Sequence, residues 1–66
     1  MNKTEARKVA TATGRYGYFR VSATEMNERC PKCLQYVPTT VFAWASESER
    51  SKARKQSMID HLMEEH

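Results

Sequence analysis

The stretch CPKC, Cys30–Cys33, contains both cysteines of the 66-residue chain. The only two histidines, His61 and His66, lie at the far end, within IDHLMEEH. Three uses of the cysteine pair are compatible with its local sequence: a redox couple, a disulfide crosslink, or half of a metal site. The rest of the chain has to distinguish among them.

The length of the chain predicts that some additional link stabilises the fold. A chain of 66 residues buries little apolar surface to set against the conformational entropy that is lost on folding. Hydrophobic residues nevertheless make up 39% of the sequence, which is enough for a compact core and excludes a disordered tail. We therefore predict one small folded protein held together by more than its core.

The sequence predicts a soluble, cytoplasmic protein with no membrane partner. No apolar run approaches the roughly 20 residues that span a bilayer. The N-terminus MNKTEARK also lacks the apolar segment of a signal peptide. In a reducing cytosol a disulfide is disfavoured, and a bridge from Cys30 to Cys33 would close too small a loop to stabilise the fold much.

The first half of the chain reads as a short helix followed by a strand. Residues 4–14, TEARKVATATG, predict a helix that opens at Thr4 and closes at Gly14, with an extended arm as the alternative. Residues 16–23, YGYFRVSA, are aromatic and β-branched, which is typical of a strand. The polar residues 24–28, TEMNE, then predict a turn that leads into the cysteine pair.

The second half reads as further strand and one long helix. LQYV predicts a strand that leaves the cysteine turn, Pro38 interrupts it, and residues 39–45, TTVFAWA, form the most strand-like stretch of the chain. Ser46 followed three residues later by Glu49 has the pattern of a capping box, so a helix is expected to begin there and to run nearly to the end.

These elements predict an α+β fold of ββα type, with two or three antiparallel strands followed by a long C-terminal helix. A basic N-terminal segment, residues 1–15, precedes a single domain, residues 16–66. The possible short N-terminal helix falls in the first of these segments.

The histidines are placed to meet the cysteines where the helix joins the sheet. At about 100° per residue, His61 and His66 point roughly 140° apart around the helix. The direction midway between them falls near Met58 and Leu62, which are expected to face the core. A metal held by both imidazoles would sit there, provided that the last turn distorts a little. Two thiolates and two imidazoles are the ligand set and number that structural zinc prefers.

The pattern C-x2-C-x27-H-x4-H resembles the Cys2His2 zinc-finger family, in which a strand pair carries the cysteines and a helix carries the histidines. Met58, three residues before the first histidine, matches the apolar residue that such fingers have there. The interval of 27 residues is longer than in the common finger, and Leu34 stands where the family favours glycine. The chain therefore resembles an enlarged, divergent member, of the kind seen in small bacterial or phage accessory proteins. The resemblance implies one set of zinc ligands: Cys30, Cys33, His61 and His66.

Other interpretations of the same residues stay open at this point. A C-P-x-C motif also resembles the active site of glutaredoxin-like proteins, although the segment after Cys33 reads as strand and the chain is short for that fold. Alternatively, the thiols are free and the histidines are surface residues. If His66 is not a ligand, Glu65 or a water would complete the coordination sphere.

Catalysis is not expected, and neither is a small-molecule substrate. Four protein ligands leave no open position on a metal, whereas catalytic zinc keeps one. The sequence contains no visible Ser/His/Asp set or spaced carboxylate pair. We therefore predict a structural zinc and look for function on the surface.

Two basic segments are candidates for binding nucleic acid. In the zinc-finger family the start of the helix enters the major groove, which implies such a role for the basic residues there. The alternative is a solvated helix face, in which Glu47 and Glu49 pair with these cations. The N-terminal twenty residues carry five basic residues against Glu5 alone, a local charge of +4 within a net charge of +3. The predicted contacts are Arg50, Lys52, Arg54 and Lys55 on the helix, and Arg7, Lys8, Arg15 and Arg20 before it.

The tyrosines of the N-terminal segment, Tyr16 and Tyr18, fit more than one role. Aromatic residues among cations can stack on bases, anchor a protein partner, or simply cover the sheet. The leading hypothesis is a zinc-stabilised module that binds nucleic acid, with DNA as the expected ligand. The alternative is a protein-interaction module, such as a small adaptor or an inhibitor of a host or regulatory protein.

Overall fold

The computed structural model describes residues 1–12 and 18–66, which form a three-stranded antiparallel sheet and two helices. The α+β class, the three strands before a long C-terminal helix and the short N-terminal helix are as predicted from the sequence. Gly14, Arg15, Tyr16 and the expected segment boundary lie outside the described residues. The elements in chain order are α1 (Lys3–Ala12), β1 (Tyr18–Arg20), β2 (Glu25–Arg29), β3 (Tyr36–Thr40) and α2 (Glu47–Glu65).

Helix α1 begins one residue earlier than the sequence suggested, because Asn2 and not a threonine caps it. The Asn2 side-chain oxygen accepts a hydrogen bond from the Glu5 amide at 2.8 Å, as an N-cap residue does. Ala6 and Ala10 lie one turn apart on the inward face and are both buried. Their small side chains let α1 pack closely against α2.

Strand β2 replaces the turn that was predicted for residues 24–28, so that prediction is wrong. Met26 and Glu28 point inward and are buried, with the period of two that a half-buried strand requires. The sequence pattern does not indicate a strand here, because one of the two inward residues is a carboxylate. Glu28 is tolerated there because it forms an ion pair with Arg54 of α2. The distance from Arg54 Nε to Glu28 Oε2 is 3.3 Å, although the two groups are not aligned as in a good hydrogen bond. Burial raises the pKa of the Glu28 carboxyl, and the Arg54 charge partly opposes this.

The strands on either side of β2 also differ from the prediction. Strand β1 is shorter than the predicted strand 16–23, because the chain turns after Arg20 and the Val21 amide bonds back to the Glu25 carbonyl at 2.9 Å. Strand β3 ends at Thr40, so the predicted strand over residues 39–45 is wrong for most of its length. Pro38 lies inside β3 rather than interrupting it, because β3 is an edge strand where a missing N–H is tolerated.

The core forms where the sheet and α1 meet α2. Met58 and Leu62 are fully buried, as predicted. They belong to one apolar cluster that links both helices to the end of β2 and to β3. That cluster consists of Ala6, Ala10, Cys30, Val37, Met58, Ile59 and Leu62.

The capping box at the start of α2 is confirmed. The Ser46 hydroxyl accepts a hydrogen bond from the Glu49 amide at 3.2 Å, and the Ser46 amide donates to Glu49 Oε1 at 3.3 Å. Two amides that the helix itself leaves unpaired are thereby satisfied. The cap fixes the point where the chain changes from loop to helix.

We expect Ser46→Ala to lower the free energy of unfolding by about 1 kcal/mol, because it removes the acceptor for the Glu49 amide. Urea unfolding of the metal-loaded protein measures this loss. Ser48→Ala, a substitution at an exposed serine within the first turn, is the matched control and should be nearly neutral. Equal effects of the two substitutions would contradict the capping role.

Candidate metal centre

The cysteine turn is closed by backbone hydrogen bonds at the ends of β2 and β3. The Cys30 amide donates to the Gln35 carbonyl and the Leu34 amide donates to the Cys30 carbonyl, each at 2.8 Å. Leu34 adopts a positive φ of 62°, the left-handed conformation for which glycine is usually favoured. For a residue with a Cβ this conformation costs on the order of 1 kcal/mol. The turn therefore holds a strained backbone directly after Cys33.

The two histidines lie close together at the C-terminal end of α2. His61 lies inside α2, whereas His66 follows its last residue and caps it, with its amide donating to the Leu62 carbonyl at 3.1 Å. The two imidazole centroids are 5.5 Å apart. The imidazoles are therefore near enough to be considered as ligands of one ion.

The four predicted ligands converge. Cys33 Sγ lies 3.4 Å from His61 Nε2, and Cys30 Sγ lies 3.9 Å from His66 Nε2. All four ligand atoms lie within 4.8 Å of one another. Tetrahedral zinc with its usual bond lengths requires separations of about 3.3–3.8 Å, so only a small contraction would make the cluster fit. The arrangement is a possible metal-binding site, compatible with zinc.

The surroundings of the cluster favour metal binding over the other interpretations of the cysteines. Cys30 is fully buried and the segment after Cys33 leads into β3, so neither thiol lies at a helix N-terminus, where a redox thiol would be activated. Both sulfurs lie near imidazole nitrogens, which a pair of free thiols with surface histidines would not require. His66, and not Glu65, is the fourth member of the cluster.

Comparisons of the chain with family models, with curated proteins and with solved structures gave no significant match. Among the described residues, no helix combines the length and the apolar character needed to cross a membrane.

The structure separates the predicted nucleic-acid contacts into two groups. Arg50 and Arg54, which were predicted to contact nucleic acid, do not lie on an open face of the helix. Arg50 is only 3% exposed, and Arg54 lies between Glu28 and the ring of Tyr18, with its guanidinium 3.7 Å from the ring centroid. Arg15 lies outside the described residues. The exposed members are Arg7, Lys8, Arg20, Lys52 and Lys55.

The acidic residues at the start of α2 do not neutralise these cations. In the described part of the chain, the one salt bridge joins Arg54 to Glu28. Glu49 is used by the capping box, and Glu47 has no basic partner there. The alternative of a helix face neutralised by its own ion pairs is therefore not what the structure forms.

We expect Cys30→Ser and His61→Ala to abolish stoichiometric metal binding and to unfold most of the chain, because each removes a ligand that joins the cysteine turn to α2. His66→Ala should have a smaller effect, since His66 is exposed and water can take its position. Metal analysis of the purified variants and far-ultraviolet circular dichroism, with and without a chelator, measure both effects. Lys32→Ala, inside the same turn, is the control and should leave metal binding unchanged. A chelated protein that keeps its full helical signal would contradict the role of the metal in folding.

Proposed function

We propose that this protein is a small zinc-stabilised module that binds nucleic acid. Two thiolates and two imidazoles favour zinc over harder cations such as magnesium or calcium. Because the protein supplies all four ligands, the zinc has a structural role and the module is not an enzyme. The two thiolates balance the charge of the ion, so the net charge of +3 is retained for contacts elsewhere.

The observation that carries the nucleic-acid proposal is the meeting of the two predicted basic segments around one cavity. Arg20 from β1 reaches the same cavity as Arg50 and Arg54 from α2, and its volume is about 250 Å³. Arginines far apart in sequence thus face a space large enough for a phosphate group. The remaining lining residues are Tyr18, Met26 and Glu47.

Arg50 provides a fixed positive charge beside this cavity. Its Nε donates to the Ala45 carbonyl and its Nη2 to the Ala43 carbonyl, both at 3.0 Å. Its Nη1 is buried without a hydrogen-bond partner, and no carboxylate lies within ion-pair distance among residues 1–12 and 18–66. Buried charges are usually paired, so a guanidinium in this position favours an anion nearby.

Arg20 is more exposed than Arg50 and Arg54, so it would make most of the direct contact with a phosphate. Arg54 adds charge but is shared with Glu28, and Glu47 opposes an anion on one side of the cavity. Because arginines that meet a phosphate read the backbone and not the bases, we propose binding with little sequence preference. The exposed cations that widen the positive field are Arg7, Lys8, Lys52 and Lys55.

This arrangement differs from how a common Cys2His2 finger binds DNA. The start of α2 cannot insert its arginines into a major groove while Arg50 is buried and Arg54 is ion-paired. We propose instead that the phosphate backbone lies across the edge of the sheet beside α2. Double-stranded DNA is the first ligand to test.

Substitution of the zinc by Co²⁺ tests the identity and geometry of the site. We expect one Co²⁺ per chain, with the intense visible absorption of tetrahedral coordination and a thiolate-to-metal charge-transfer band. Added zinc should then displace the Co²⁺, because zinc binds such sites more tightly. A weak, octahedral spectrum would contradict the Cys2His2 assignment.

Salt dependence tests the proposed phosphate contacts. The logarithm of the DNA association constant should fall linearly with the logarithm of the salt concentration, as counterions are released. We expect Arg20→Gln to weaken binding and to reduce that slope by about one. Fluorescence anisotropy of a labelled duplex measures both quantities.

Arg29→Gln is the matched control, since Arg29 is also an exposed arginine of the sheet but lies against Tyr36, away from the cavity. It should leave the slope nearly unchanged. Glu47→Gln should strengthen binding, because it removes a negative charge from the cavity wall. Equal losses from Arg20→Gln and Arg29→Gln would contradict the cavity as the phosphate site, and a salt-independent association would contradict nucleic-acid binding altogether.

A further inference from the structure

The loop between β3 and α2 exposes two large aromatic side chains that the fold does not use. Phe42 is 67% exposed and Trp44 is 80% exposed. Their rings are stacked on each other, with centroids 4.9 Å apart and planes 8° from parallel. Tryptophan is usually well covered in a folded protein, and exposed apolar surface of this kind marks interaction sites.

An apolar groove of about 430 Å³ lies beside this aromatic pair. It runs between the end of β3, the loop and the first turns of α2. Its volume is in the range of known ligand pockets, and it accommodates one or two side chains of a peptide. The lining residues are Thr40, Val41, Phe42, Ala45, Glu49 and Ala53.

Arg50 and the capping box hold this loop in place. The Arg50 side chain bonds to the carbonyls of Ala43 and Ala45, which flank Trp44. Ser46 and Glu49 fix the next residues at the start of α2. A surface that is ordered before binding loses less entropy when a partner docks, so the aromatic pair is presented as a preorganised anchor.

The charge at the groove distinguishes between classes of occupant. Glu49 is the one charged residue among those that line it. Its Oε1 is held by Ser46, and no basic side chain pairs with it within the described residues. A phosphate backbone would be repelled here, whereas a lysine or arginine beside an apolar residue would be attracted.

We propose that the groove beside Phe42 and Trp44 binds a peptide segment of a partner protein, one that carries an aromatic or aliphatic side chain next to a lysine or arginine. The apolar side chain enters the groove, and the cation reaches Glu49. This surface is separate from the proposed phosphate cavity, because Glu49 and Ala53 face it whereas Arg50 and Arg54 line the cavity. Together with the nucleic-acid binding proposed above, on which this step rests, the protein joins a protein partner to nucleic acid. Arg50 contributes to both surfaces, whereas Phe42 lines only the groove and Arg20 only the cavity.

Selection from a random peptide library displayed on phage tests the proposal, with the immobilised metal-loaded protein as bait and the empty support for counter-selection. The enriched peptides should combine an apolar residue with a neighbouring lysine or arginine. Trp44 is the sole tryptophan of the chain, so its emission reports directly on binding of the synthesised peptides. Phe42→Ala should weaken their binding at least about tenfold, as loss of a central aromatic anchor does.

Glu49→Gln isolates the charge, because glutamine also satisfies a capping box and the helix start is kept. It should weaken binding by about twofold to fivefold, the effect of one exposed ion pair. Val21→Ala, a change at an exposed apolar residue outside the groove, is the matched control and should have no effect.

Four outcomes would overturn the proposal. The first is that the selection enriches no peptides or enriches acidic ones, and the second is that Phe42→Ala and Val21→Ala bind the peptides equally well. The third is a Trp44 response to a single-stranded oligonucleotide but not to the peptides, which assigns the surface to nucleic acid. The fourth is concentration-dependent dimerisation that Trp44→Ala abolishes, which assigns it to a second copy of the chain.

Discussion

The fold depends on one long-range connection, between the cysteine turn at the end of β2 and the C-terminal end of α2. The two ligand pairs are separated by 27 residues. A metal bound by all four would therefore close a loop that contains β3, the segment 41–46 with Phe42 and Trp44 (the aromatic loop), and α2 as far as Asp60. Without a metal, the entropy lost on closing a loop of this length would have to be offset by a small core of alanines, one methionine and a few aliphatic residues. The binding free energy of the ion would therefore be largely the folding free energy of the chain.

The sequence predicted the features that depend on local chemistry. The capping box, the long helix and the inward direction of Met58 and Leu62 follow from spacing and residue type. The convergence of the two cysteines and two histidines is long-range, and it was predicted from their chemistry as zinc ligands and from the resemblance to Cys2His2 fingers. The strand boundaries could not be predicted in the same way. One of the buried residues of β2 is the carboxylate Glu28, and its partner, Arg54, lies 26 positions away in sequence. Only the tertiary pairing makes Glu28 an inward residue.

The strand predicted for the aromatic loop is absent for a related reason: it depended on a neighbour that the local sequence does not specify. Residues 39–45 have the composition of a strand, and alternation places Phe42 and Trp44 on one face, as in the structure. No strand lies beside them, however, so they stack on each other in solvent instead of covering a sheet. Propensity describes how a residue fits a pleated surface, and it does not say whether a neighbouring strand is there. The burial of Arg50 could not be predicted either, because the carbonyls to which it donates, those of Ala43 and Ala45, belong to this loop.

The uneven burial of the ligands has a consequence for how quickly a metal would exchange. Cys30 is buried in the cluster formed with residues of both helices, whereas His66 caps the C-terminal end of α2 and is exposed. A chelator could approach a bound ion from the His66 side, but Cys30 would be out of its reach until the packing around this cysteine opened. Release of a bound ion would then require a local opening around Cys30. Its rate at high chelator concentration would be set by the frequency of that opening and not by the strength of the chelator.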